Sequence, residues 1–172
     1  MVVKQLDLFN DNSVASPSKK ETVQWTLFVD GASRKNPGPS GAGIYIEKNG
    51  ILHLKDGYFL GIKTNNQAEY LALLLGLFVL EESISNKDAV HIISDSQLLV
   101  RQLQGVYKVK EPHLQSLHMI CKEIMHKLDA TIAHVFRDQN IQADAMANHG
   151  VDSKKFPPKQ YSALLKSYGI IL

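Results

Sequence analysis

Apolar positions thin out after Phe9 and become periodic only after residue 23. Asp11–Glu21 (DNSVASPSKKE) is polar and rich in Ser and Pro; it has little to bury and reads as a tether. Gln24–Asp30 (QWTLFVD) is a β-rich run ending at Asp-Gly, the mark of a buried strand and a turn. Ser33–Gly43 is punctuated by Gly and Pro and reads as a loop. Ile44–Glu47 and Ile51–Leu60 predict a hairpin, because Lys48-Asn49-Gly50 suits a type I′ turn. Asn65 or Asn66 is placed to cap a Leu- and Ala-rich helix running to about Glu82. Ala89–Ser94 predicts a short strand, and Asp95 takes the N-cap position of a helix over Gln97–Gln104. After Gly105 and Pro112 a longer helix is expected over Leu114–Leu128, then a strand over Thr131–Phe136 and the start of a last helix over Ile141–Ala147. This order predicts an α/β fold: a mixed five-stranded sheet, its first three strands antiparallel, flanked by helices.

The length of 172 residues is one domain's worth, and 44% hydrophobic with 21% charged residues is an ordinary globular composition. No apolar run approaches the ~18 residues of a membrane span. Met1–Asn12 lacks a basic-then-apolar signal pattern, so a cytoplasmic protein is expected. A single cysteine, Cys121, excludes an internal disulfide and a cysteine-built zinc site. Charge adds a constraint. Residues 25–150 hold thirteen acids and twelve bases, whereas residues 151–172 hold four lysines and one aspartate. The body is not a polyanion binder by bulk charge. To handle one, it needs bound cations or a local patch to offset its acids.

Four carboxylates fall where elements end or begin. Asp30 closes the first strand, Glu69 lies near the start of the first helix, Asp95 follows the fourth strand, and Asp144 opens the last helix. Singly, each also reads as a turn residue, a helix cap or a partner of a helix dipole. With strands one and four adjacent, Asp30 and Asp95 reach one sheet edge, where open α/β folds bind ligands. Clustered carboxylates raise one another's pKa unless cations join them, and oxygen donors select Mg²⁺ or Mn²⁺. Two such ions about 3.5–4 Å apart suit in-line displacement at a phosphodiester.

These residues sit in four segments: FVDGASRKNPGPSGAG (Phe28–Gly43), KTNNQAEYLALLLGL (Lys63–Leu77), IISDSQLLVRQL (Ile92–Leu103) and RDQNIQADAMAN (Arg137–Asn148). In this order they resemble type 1 ribonuclease H, over about residues 24–150. The resemblance implies a ribonuclease H-like fold and endonucleolytic cleavage of the RNA strand of an RNA–DNA hybrid, leaving 5′-phosphate and 3′-hydroxyl ends. It implies two ions, with Asp30 bridging both, Asp144 completing the nucleophile-side site, and Glu69 and Asp95 holding the leaving-group side. Asn36, Asn65, Asn66 and Gln67 match positions lining the hybrid's minor groove, where short amides meet 2′-hydroxyls without reading sequence. Thr64 matches a DNA-phosphate position. The implied domains are an arm (1–23), a catalytic domain (24–150) and a C-terminal extension (151–172), in a monomer.

Two features depart from many relatives. Arg137-Asp138-Gln139-Asn140 is too short to be a flexible His-bearing loop, which resembles a compact subgroup in which double-stranded RNA cleavage is a further expectation. Arg137 is then the side chain placed to approach the phosphate; His134 and His149 are weaker candidates. Gly105–Glu111 carries only two lysines in place of a basic protrusion, so grip on substrate is expected to depend strongly on salt and metal. Tyr161–Leu172 is apolar enough to dock on the body or to pair with another chain. At the other end, Gln5-Leu6-Asp7-Leu8-Phe9 resembles the pentapeptide by which bacterial proteins bind the DNA polymerase sliding clamp, with Leu8 and Phe9 as anchors. The rival functions are a non-catalytic nucleic-acid-binding module and another metal nuclease of ribonuclease H-like fold.

Overall fold

A computed structural model describes residues 22–85 and 87–172; the pentapeptide 5–9 lies outside them. The strands are β1 (Gln24–Ser33), β2 (Gly38–Lys48), β3 (Ile51–Lys63), β4 (Ala89–Ser94) and β5 (Thr131–His134). The helices are α1 (Asn65–Glu81), α2 (Gln97–Leu103), α3 (Pro112–Lys127), α4 (Ile141–Ser153) and α5 (Lys159–Ser167). A 3₁₀ turn, Arg137–Gln139, leads into α4. The sheet order is β3-β2-β1-β4-β5. β1, β2 and β3 pair antiparallel, and β4 and β5 join β1 in parallel. The expected mixed sheet is the one observed.

Alternation along β1 explains its central place. Trp25, Leu27 and Val29 are fully buried, and Leu27 and Val29 pack beside Gly76 of α1. Asp30 points to the opposite face, since it pairs with Gly43, where an added Cβ would strike α4. α1 is buried almost all round, as a helix packed between the sheet and a second helix layer must be. The hairpin turn is as expected: Asn49 and Gly50 both take positive φ, 52° and 75°.

Four expectations shift. Asp30 lies inside β1, which continues to Ser33. Gly38–Gly43, read as loop, is the first half of β2; Gly41 and Gly43 serve packing against α4, while Gly38 abuts Lys35 of the preceding connection. The cap of α1 is Thr64, not Asn65 or Asn66: Thr64 Oγ1 accepts from Gln67 N at 3.2 Å and Gln67 Oε1 accepts from Thr64 N at 2.9 Å. The cap of α2 is Ser96 rather than Asp95. The chain also continues past α4 into α5. There Tyr161 and Leu165 are fully buried, and Tyr161 donates from its hydroxyl to the Leu71 carbonyl of α1 at 2.9 Å. The C-terminal extension therefore docks on the body of its own chain.

Candidate active site

Two glycines bring the acids together. Gly31 of β1 faces α1, where an added Cβ would lie 2.2 Å from the Glu69 nitrogen. Gly43 of β2, beside Asp30, faces α4, where a Cβ would lie 2.0 Å from the Ala143 carbonyl oxygen. Only hydrogen at these positions lets both helix backbones lie against the sheet at the level of Asp30. Glu69 then reaches back to β1, and its Oε2 accepts from the Gly31 amide at 3.2 Å. Asp95 follows β4, which runs parallel beside β1 with Val29 opposite Ser94. Asp144 sits in the first turn of α4.

The two buried carboxylates feel their neighbours. Asp30 and Glu69 are buried, each 7% exposed, whereas Asp95 and Asp144 are half-buried. Burial, then the charges of Asp95 and Asp144, push the Asp30 carboxyl up to about 7. Burial, followed by Asp30 and Asp95, drives Glu69 well above the ordinary carboxylate range. Arg137 supplies a positive charge: its guanidinium pairs with Asp144 Oδ1. On the other side Asn148 Nδ2 donates to Asp144 Oδ2 at 3.3 Å. Among the described residues no three acidic, His or Cys side chains stand close enough to hold an ion as they are. The acids are gathered at one edge, spread apart and countered by an arginine, as like charges must be without cations between them.

The polar residues expected on the substrate side flank this edge. Asn36, in the exposed connection from β1 to β2, accepts from the Asn65 amide at 3.0 Å through Oδ1, which ties that loop to the start of α1. Asn36, Asn65 and Asn66 are exposed, with Asn65 and Asn66 released from the capping duty that Thr64 performs. Thr64 and Gln67 are half-buried and engaged with each other. His134 and His149 are exposed, and His134 packs edge-on against Phe136. A cavity of about 600 Å³ lies at the far end of β4, between Thr22 and Thr131, and none of the four carboxylates lines it. Sequence reading missed one residue: Asn140, just before α4, is 1% exposed and donates to Asp95 Oδ1 at 2.8 Å. Its signal was a lone asparagine four positions before Asp144.

Comparison with known proteins agrees with this geometry. The reverse transcriptase-like family model matches residues 28–150. Ribonuclease HI of Halobacterium salinarum is 36% identical over 142 residues, covering 81% of this chain and 69% of that protein. The chain belongs to the ribonuclease H-like family. The crystal structure of RNase H1 from the same archaeon superposes with a TM-score of 0.71 at 34% identity, over 76% of this chain and 98% of that one. LC11-RNase H1, solved in complex with an RNA/DNA hybrid, gives 0.69 at 34% identity, over 75% of this chain and 97% of that one. The bifunctional protein Rv2228c of Mycobacterium tuberculosis is 33% identical over 74% of this chain, which spans 35% of its length. Ribonuclease H enzymes generally depend on divalent metal ions. The donors present fit that dependence, because all are carboxylate oxygens and two of them carry raised pKa values that a nearby cation would relieve. Among the described residues no helix is long and apolar enough to cross a membrane.

Proposed function

We propose that this chain hydrolyses the RNA strand of RNA–DNA hybrids with the help of two Mg²⁺ or Mn²⁺ ions held by Asp30, Glu69, Asp95 and Asp144. The observation that carries this reading is the burial of Asp30 and Glu69 beside the charges of Asp95 and Asp144, which raises both buried carboxyls; the four arrive from β1, α1, the end of β4 and α4. A pair of divalent ions, when bound, activates water and offsets charge on the leaving oxygen. Asp30, which neighbours the other three, would hold both ions, Asp144 would complete the nucleophile side, and Glu69 and Asp95 would hold the leaving-group side. The new bond joins the water oxygen to phosphorus and the broken bond joins phosphorus to the ribose 3′-oxygen, giving 5′-phosphate and 3′-hydroxyl ends.

The ridge of Asn36, Asn65 and Asn66 suits a minor groove. Exposed amides there donate to and accept from 2′-hydroxyls and base edges, which favours hybrid over DNA duplex and reads no sequence. Thr64 and Gln67, locked in their capping box, set the start of α1 and hold that ridge in place while a backbone phosphate passes. Arg137 is positioned to leave Asp144 for a phosphate oxygen once cations occupy the carboxylates, because its guanidinium suits both anions.

The test is a labelled panel of RNA–DNA hybrid, double-stranded RNA and double-stranded DNA with Mg²⁺, Mn²⁺ or a chelator. Hybrid cleavage is expected, abolished by chelator and reduced at least 10³-fold by Asp95→Asn, as loss of a group acting on the transition state implies. Cleavage of double-stranded RNA as well would widen the substrate class. Binding of hybrid without cleavage at any metal concentration would replace this reading with the non-catalytic module.

A further inference from the structure

Asn140 makes two side-chain hydrogen bonds beside the carboxylates, and neither is the contact its position suggests. It precedes α4, yet its side chain does not cap that helix. Instead Nδ2 donates twice, to the Val29 carbonyl at 3.0 Å and to Asp95 Oδ1 at 2.8 Å. The chemistry fixes this orientation of the amide, since turning it over would set Oδ1 against two acceptors. Its Oδ1 is buried and meets no hydrogen-bond donor among the described residues. Leaving a buried acceptor unpaired is costly, so the site holds two donors in place at the expense of the acceptor. The backbone of the same residue accepts from the Asp144 amide at 3.1 Å. One residue therefore links the strand position before Asp30, the Asp95 carboxylate itself, and the helix turn that carries Asp144.

We propose that Asn140 is a positioning residue: it fixes the Asp95 carboxylate relative to Asp30 and Asp144 so that their oxygens present themselves together to cations. This rests on the two-ion reading above. Asp95 follows β4 directly and is half-buried, so without the Nδ2 donor its side chain is free to turn toward water. The anchoring bond to Val29 matters as much, because it makes Asp95 follow β1, the strand that bears Asp30, rather than the loop before α2. A network of this kind acts on the geometry of the ligands rather than on the reacting phosphate.

Manganese calorimetry on the full chain, alongside hybrid-cleavage kinetics, tests this. Asn140→Ala and Asn140→Leu, both without the amide donor and neither adding charge, are expected to weaken Mn²⁺ binding and lower kcat by about 10–100-fold, with KM for hybrid held within about two-fold. In an Asp95→Ala background, Asn140→Ala is expected to cost no further Mn²⁺ affinity, because the residue acts through Asp95. Ile124→Ala, a core truncation in α3, supplies a control that loses stability without losing metal. In the wild-type protein the Asn140 side-chain amide resonances should shift as Mg²⁺ is added, a reading that needs no variant to fold. Mn²⁺ affinity of Asn140→Ala within two-fold of wild type would overturn the proposal. So would amide resonances unmoved at saturating Mg²⁺, or an equal loss in the Asp95→Ala background. Wild-type protein that binds Mn²⁺ but leaves hybrid intact, with the Asn140 variants still weakened for Mn²⁺, would overturn the function and leave the positioning role standing.

Discussion

Asp30 shows how much a single buried carboxyl contributes to stability. Its pKa of about 7 compares with about 4 in an unfolded chain. Between those values the folded protein holds a proton that the unfolded chain has released, so stability falls as pH rises through that window. The sign is opposite to that of a salt-bridged aspartate such as Asp56. There the hydrogen bonds from Lys155 and Tyr58 outweigh the larger effect of burial and lower the pKa, so its contribution is lost only as the pH falls below the ordinary carboxylate value. In chelator, wild-type protein should be less stable at pH 8 than at pH 5 by roughly 2 kcal/mol, at about 1.4 kcal/mol per pKa unit. Asp30→Asn should remove much of that slope, and Mg²⁺ should restore stability at pH 8 to wild type alone. Urea midpoints at the two pH values measure it; equal slopes for wild type and variant would mean that Asp30 is not crowded by its neighbours. None of this required the coordinates to name Asp30, whose Asp-Gly context and motif were plain in the sequence. The coordinates were needed to show that burial dominates its perturbation.

Elements were legible where the cause of their structure is local. Asn49-Gly50 turns because those two residues tolerate positive φ, and β4 was bounded correctly because its apolar run is short and flanked by polar residues. Elements were misread where the cause is distant. Gly38–Gly43 reads as loop by composition, but Gly41 and Gly43 are there because α4, a hundred residues later, crosses β2 at backbone distance. Thr64 and Ser96 displaced the asparagine and aspartate favoured as caps, which leaves Asn65 and Asn66 exposed and Asp95 beside Asp30. The apolar character of Tyr161–Leu172 is legible, but the choice between docking on the body and pairing with another chain is made only by the surface that α1 offers. That surface supports a firm expectation. Leu165→Ala should cost about 2–5 kcal/mol as a fully buried truncation, and Tyr161→Phe about 1 kcal/mol for the lost hydrogen bond to the Leu71 carbonyl. Both are read from urea midpoints at unchanged m-value, with hybrid cleavage by the folded fraction unaltered. Changes near zero for both would mean that α5 is only loosely attached.

Across the whole chain, the distribution of charge separates catalysis from recruitment. Residues 25–150 carry one more acid than bases, and the surplus lysines lie beyond residue 150, where Lys155 is paired with Asp56. A body of this kind holds a polyanion weakly until cations fill its carboxylates, and its grip falls as salt rises. An enzyme with so little electrostatic capture gains most from being carried to its substrate, because tethering substitutes local concentration for affinity. Gln5–Phe9 is the segment suited to that task. Its resemblance to a clamp-binding pentapeptide predicts binding to a bacterial sliding clamp, with Leu8 and Phe9 as anchors and Gln5 as a polar end. The chain between Phe9 and Gln24 reaches at most roughly 50 Å, enough for the body to work on nucleic acid threaded through the clamp. Fluorescence anisotropy with a purified bacterial clamp should show binding by the full chain that falls at least ten-fold in the Leu8→Ala, Phe9→Ala double variant. Cleavage of free hybrid oligonucleotides should be the same for both proteins, while cleavage of hybrid on clamp-loaded DNA should fall for the variant alone. Equal clamp affinity in the two would reduce the pentapeptide to a chance match and leave the low charge of the body without a compensating device.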